Sequence, residues 1–207
     1  AIKPLSLPEG LTSIGLGAFR RCRSIEDLTI PDSVTDMDSE VFTGCTGLKY
    51  IDTGDGVTSL NCFYLGAPGS IMDAPVLEKI IVGNSVTKIK TGMFSNCKNL
   101  KEVYLGDSVQ TIEGEAFIPT HTEGAFAGCG SLKIIKLPDG LKTIGNAAFE
   151  NCIGLSSLSI GTQLETIGES AFYGCTALQT VNFPNSLKMI GSDAFYECSN
   201  LGDVIFP

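Results

Sequence analysis

The chain has 207 residues, a formal net charge of −9 and a sequence pI near 4.6. Apolar residues make up 43% of it and never run to the roughly 18 in a row that a membrane-spanning helix requires. Its 14 lysines and arginines form no positive stripe for phosphate and no basic amphipathic helix for anionic lipid, which excludes nucleic acid and direct membrane insertion.

In chain order, one short apolar pattern recurs. Its first residue falls at Ile2, Ile25, Leu48, Leu77, Leu100, Leu132, Leu155, Leu178 and Leu201, in steps of 23, 23, 29, 23, 32, 23, 23 and 23. The copy beginning at Ser131 shows the unit most clearly. Leu132-x-x-Ile135-x-Leu137 alternates at its end, as a short half-buried strand does. Pro138-Asp139-Gly140 stops it with turn residues, and Leu141-x-x-Ile144 supplies a second apolar pair. Ala148-Phe149-x-x-Cys152 follows, and its i, i+3 spacing predicts a helical turn with Phe and Cys on one face. Twenty-three residues with so few apolar side chains cannot bury a core alone. Stacked neighbours can, and that predicts one elongated solenoid over 1–207, about eight repeats plus a terminal strand.

Two copies are interrupted. The step of 29 puts Ile71 in the Phe slot and Ala74 in the Cys slot, with extra residues near 61–70. Losing a ring and a thiol leaves a void, and Phe63, Leu65 and Met72 are at hand to fill it. The expectation is an ordered plug that buries Phe63 or Leu65 beside Ile71. The step of 32 carries a second insertion near 117–125, where the helical start at Phe117 is repeated at Phe126. Both insertions precede the Phe slot and therefore leave the same edge. Ile2 to Leu7 is already a strand and Val204 to Phe206 follows one, without the polar caps usual in repeat proteins. With no basic-then-apolar leader, this reads as a mature form or an excised piece.

Cys-x-x-Leu-x-x-Ile-x-Leu-Pro-x-x-Leu-x-x-Ile-Gly-x-x-Ala-Phe at a 23-residue period resembles the Treponema-type, or BspA-like, leucine-rich repeat over essentially the whole chain. The resemblance implies an α/β, right-handed leucine-rich-repeat solenoid. Its Leu-x-x-Ile-x-Leu strands would form a parallel concave sheet, with short helical turns on the convex side. It also implies a secreted or surface-attached protein of a bacterium or host-associated protist, adhesin-like, with a host or matrix protein as ligand. No functional residue transfers, because the motif is structural.

Catalysis finds little support. The single histidine, His121, sits in a polar insert and reads as a solvated loop residue. Asp52-Thr53-Gly54 spells the aspartic-protease tripeptide, but no second copy exists to share a proton. Asp52 and Asp55 with Asp32 or Asp107 offer oxygen ligands for calcium, without the spacing that would converge them in one loop. No cofactor is called for. Seven of eight cysteines occupy one slot of the repeat, Cys62 alone standing off register. Neighbouring slots lie near disulfide distance, yet parallel side chains aimed into a shared core do not face one another, which favours buried free thiols. Cys62 reads equally as exposed and reactive or as tucked under its insert.

The residues flanking the central Ile of each strand point away from the core. One outward column contains Tyr50, Lys79, Glu102 and Ile134; the other contains Asp52, Ile81, Tyr104 and Lys136. Their apolar and aromatic members gather on four successive strands, so Tyr50, Lys79, Ile81, Glu102, Tyr104 and Ile134 form the candidate ligand site. The expected function is non-catalytic binding of a protein or glycan by a monomer or a weakly end-to-end-associating chain. The competing reading is a structural spacer or self-associating stalk that uses the sheet edges.

Overall fold

Alternation and turn chemistry build each coil of this chain from two short strands and a tight turn, and stacking does the rest. The structure is a computed structural model that describes residues 5–38, 40–60, 76–115 and 124–205. Strands are numbered in chain order. The first of each coil are β1 (Leu5–Ser6), β3 (Asp27–Thr29), β5 (Tyr50–Asp52), β6 (Lys79–Ile81), β8 (Glu102–Tyr104) and β10 (Ile134–Lys136). These pair in that order as one parallel sheet. A bridge from Lys136 to Ser159 continues it into β12 (Ser157–Leu158), β14 (Thr180–Asn182) and β16 (Asp203–Ile205).

The register is one repeat per strand. Leu28, Ile51, Ile80, Val103 and Ile135 stand opposite one another and are all buried. A one-residue slip would turn this entire column to water, so the buried face itself holds the register.

The second apolar pair of each unit forms a second parallel ladder. It comprises β2 (Ser13–Ile14) with β4 (Asp36–Met37), then β7 (Lys88–Ile89), β9 (Thr111–Ile112), β11 (Thr143–Ile144), β13 (Thr166–Ile167) and β15 (Met189–Ile190). In the coil between β5 and β6 the corresponding Val57 and Leu60 are buried but form no strand.

The predicted helical turns are not what the convex side contains. Among the described residues no helix occurs. Ala-Phe-x-x-Cys is instead a run of tight turns in which alternate N–H groups bond in different directions. Ala148, Glu150 and Cys152 donate to carbonyls three residues back, whereas Ala147, Phe149 and Asn151 donate to Glu169, Ala171 and Tyr173 of the next coil at 2.7–2.8 Å. The i, i+3 contact that suggests a helix is present, but left-handed residues break the spiral. One left-handed slot holds Arg21, Gly44, Asn96, Gly128, Asn151, Gly174 and Glu197; another holds Gly17, Glu40, Gly92, Ala147, Ser170 and Asp193. A right-handed helix tolerates neither.

Stacking these turns produces two side-chain columns inside. Phe94, Phe126, Phe149, Phe172 and Phe195 stack in near-parallel pairs with centroids 5.2 Å apart, and Phe19 stacks on Phe42 at 5.7 Å. That spacing suits offset-stacked rings and is close to the strand separation. Beside them run the cysteines, free as expected; six of the seven described are buried and Cys22 is half-buried. The thiols of Cys152, Cys175 and Cys198 each donate to the Phe carbonyl one coil back, that of Phe126, Phe149 and Phe172, at 3.2 Å. Each therefore has a partner for its weak donor without turning toward its neighbour.

The longer coil after β9 closes at its root. Gly114 and Gly124 form an antiparallel bridge, and the regular turn resumes with Ala125 and Phe126 buried. The plug expected of Phe63, Leu65, Ile71 and Met72, the Ala74 slot, Cys62, His121 and Phe117 lie outside the described residues.

A candidate binding face on the concave sheet

The parallel register sets the outward columns side by side. Tyr50 is opposite Lys79, Lys79 opposite Glu102, and Glu102 opposite Ile134. Asp52, Ile81, Tyr104 and Lys136 align in the same way one step along. All six candidate residues thus lie on the same face of β5, β6, β8 and β10. Beyond them the column continues as Ser157 and Thr180, small and polar.

The face is internally tied. Lys79 Nζ sits 4.8 Å from the Tyr104 ring centroid and 3.6 Å from Glu102 Oε2. The Tyr104 hydroxyl donates to Glu102 Oε2 at 3.2 Å, so base, acid and ring form one unit. The Tyr50 hydroxyl donates to Asp52 Oδ2 at 3.3 Å. Burial, then the negative charge of Asp52, its hydrogen bond and the charge of Asp27 push the Tyr50 phenol above its ordinary value. Both tyrosines are held as neutral, half-buried rings whose orientation is set before any ligand arrives. Ile134 is the open member, 52% exposed.

Where the sheet rolls over into the turns after the strands there is a cleft of about 330 Å³. Its walls are Asp52, Ile81 and Tyr104 on one side and Asp32, Asp55 and Asn84 on the other. Its floor is the backbone of Gly54, Gly83 and Gly106 over Val82 and Leu105. Strand alternation places Ile81 and Tyr104 here but does not reveal the cleft. Its signal is a polar residue at one turn slot in successive coils. Asp32 Oδ1 accepts the Asp55 N–H at 2.8 Å, Asp55 Oδ1 accepts that of Asn84 at 2.8 Å, and Asn84 Oδ1 accepts that of Asp107 at 3.0 Å. These side chains stitch coil to coil. Among the described residues no three His, Cys, Asp or Glu side chains are grouped to hold a metal ion.

The Asp52-Thr53-Gly54 tripeptide has a packing role here. Thr53 is fully buried, and its hydroxyl accepts the Gly83 N–H at 2.9 Å. Gly83 lies so close that an added Cβ would stand 1.7 Å from the Gly54 carbonyl oxygen. Gly83→Ala must therefore push two coils apart and is expected to cost at least about 1–3 kcal/mol. Gly10→Ala, where an added Cβ meets nothing within 4 Å, is the control. Equal melting temperatures for the two variants would contradict this.

A stack of parallel coils at a spacing of about 23 residues, with an open sheet along one side, defines a leucine-rich-repeat solenoid. The chain belongs to the BspA-type leucine-rich-repeat family, whose pattern matches residues 67–123 and 122–207 in six copies. Solved structures agree. A leucine-rich repeat protein of T. pallidum is 34% identical, with a TM-score of 0.56, over 61% of this chain and 57% of its own. One from Bacteroides ovatus is 29% identical, with a TM-score of 0.54, over 94% of this chain and 58% of its own. One from Eubacterium ventriosum is 27% identical, with a TM-score of 0.67, over 86% and 44%. The chain therefore spans roughly half the length of these relatives. A search of curated proteins found no relative.

Proposed function

We propose that this protein is a non-catalytic, adhesin-like binding module, secreted or attached to the cell surface, and that it takes a protein ligand on its concave sheet. The observation that carries the reading is the alignment of Tyr50, Ile81, Tyr104 and Ile134 across four adjacent strands, with both tyrosines already held by carboxylates. Rigid aromatic side chains lose little entropy on binding and dominate interface energetics. The extracellular placement rests on the family resemblance.

An array of matrix proteins and glycans probed with the intact chain tests the proposal. For a protein hit, Tyr50→Ala with Tyr104→Ala should weaken binding by about 30- to 100-fold, the loss of two aromatic anchors at about 1–1.5 kcal/mol each. The melting temperature should move little, because neither ring is in the core. Ligands found but indifferent to both changes would place the binding surface elsewhere.

A further inference from the structure

The charges around the concave face are unevenly matched, and this bears on the ligand. We infer that the occupant of the face is an extended, arginine- or lysine-bearing segment of a partner protein, with cationic side chains entering the cleft beside Tyr104. The inference rests on the concave-face reading and names the chemistry of its ligand.

The lysines on this part of the sheet are largely neutralised within it. Lys79 is held by Glu102 and the Tyr104 ring. At the edge where the strands begin, Lys49 pairs with Glu26 at 2.9 Å and Lys101 with Glu78 at 2.8 Å. The carboxylates at the other edge have no such partners. Among the described residues none of Asp27, Asp32, Asp52 and Asp55 is in an ion pair; their bonds are to N–H and hydroxyl groups, which leave the negative charge in place. The face thus has its positive charge cancelled along one margin and its negative charge standing along the other.

The cleft also has the shape for a cationic side chain. Ile81 and the Tyr104 ring offer apolar and aromatic surface to a methylene stem or a guanidinium plane, and Asp52 and Asp55 stand beside them for the charged head. The glycine floor carries no side chains, so a partner backbone can approach closely. A volume of about 330 Å³ admits one or two side chains, not a folded domain, which points to a segment. Anionic glycans meet like charge here. A metal ion fits less well, since Asp52 already spends one oxygen on the Gly54 N–H and the other on the Tyr50 hydroxyl.

The test uses the whole chain and two fluorescein-labelled dodecapeptides, identical except that four arginines in one are citrullines in the other. Citrulline keeps the shape and removes the charge. In fluorescence anisotropy at 150 mM salt, the arginine peptide should bind at least about tenfold more tightly. Asp27→Asn with Asp52→Asn should weaken it about tenfold, while the amide introduced at position 52 retains an oxygen for the Gly54 N–H. Asp36→Asn with Asp193→Asn removes the same charge from exposed positions off the concave sheet and should change affinity less than twofold. Equal loss from both pairs would mean diffuse attraction to a chain of net charge −9 and would overturn the inference. Lack of preference for arginine would overturn it even if the variants failed to fold, because that comparison needs only the unaltered chain. If both peptides bound alike and both were lost with Tyr50→Ala and Tyr104→Ala, the basic ligand would be wrong and the concave face still right.

Discussion

Phe149→Ala should lower the free energy of unfolding by about 3–5 kcal/mol, the range for emptying a fully buried aromatic site. Phe149 is completely buried and stacks on Phe126 and Phe172, both at 5.2 Å. A globular core can partly collapse around such a gap. A solenoid has less freedom, because the coils on either side are held at fixed pitch by the two strand ladders and by the bonds from Phe149 and Asn151 to the next coil. The cavity should also weaken coupling between the halves of the stack. In a quasi-one-dimensional array that appears as a broader denaturant transition as well as an earlier one. Phe19→Ala, at a half-buried ring stacked on one side only, should cost distinctly less. Similar losses at Phe149 and Phe19, or a loss at Phe149 below about 1 kcal/mol, would refute the coupled-stack account.

Stability should fall steeply above pH 9. Burial pushes the thiols of Cys97 and Cys152 up to about 12, and those of Cys129 and Cys175 are also raised, chiefly by burial. Above pH 9 the unfolded chain releases protons that the folded chain keeps, so the native state binds more protons and loses stability as pH rises. The contribution is complete below about pH 9 and is lost as pH climbs toward 12. Each such thiol removes about 1.4 kcal/mol per pH unit within that window, so Cys97 and Cys152 alone remove nearly 3 kcal/mol per unit. The raised phenol of Tyr50 acts with the same sign from its unfolded value near 10 upward. Urea midpoints at pH 7, 9, 10 and 11 measure the slope. Cys97→Ala with Cys152→Ala should flatten it, whatever the variant's stability at pH 7. An unchanged slope would show that these thiols ionise as readily folded as unfolded. The same burial predicts that the native core cysteines resist iodoacetamide at pH 8 and react on unfolding.

The architecture was largely legible because a constant period turns sequence offset into spatial neighbourhood. Knowing that Leu28, Ile51 and Ile80 share a slot was enough to place Asp27, Tyr50 and Lys79 side by side on the opposite face, and their pairing follows that register. The convex turns were harder. Ala-Phe-x-x-Cys makes the same i, i+3 contact in a helix and in a tight turn, and the residues that decide between them sit in left-handed slots. Gly44, Gly128 and Gly174 hint at that backbone, and Asn96 and Asn151 fit it, but Arg21 and Glu197 at the same slot carry no such signal. The site divided along the same line. Outward-pointing strand residues follow from alternation. The cleft depends on Asp32, Asp55 and Asn84 in the following turns, where side chains bond across coils and strand periodicity says nothing.

The antiparallel bridge between Gly114 and Gly124 has a consequence for how such a chain can change over generations. It brings the two ends of an insertion together at the body of the stack, and Phe126 then resumes its place between Phe94 and Phe149. Once the ends are fixed, closing a longer excursion costs only about 0.6 kcal/mol for each doubling of its length. The pitch of the coils on either side does not depend on what lies between the two glycines. Length and composition at that position are therefore open to drift and selection in a way that the 23-residue unit, locked to its neighbours on both sides, is not. The repeat keeps a frame, and the bridged gap is where the lineage can experiment.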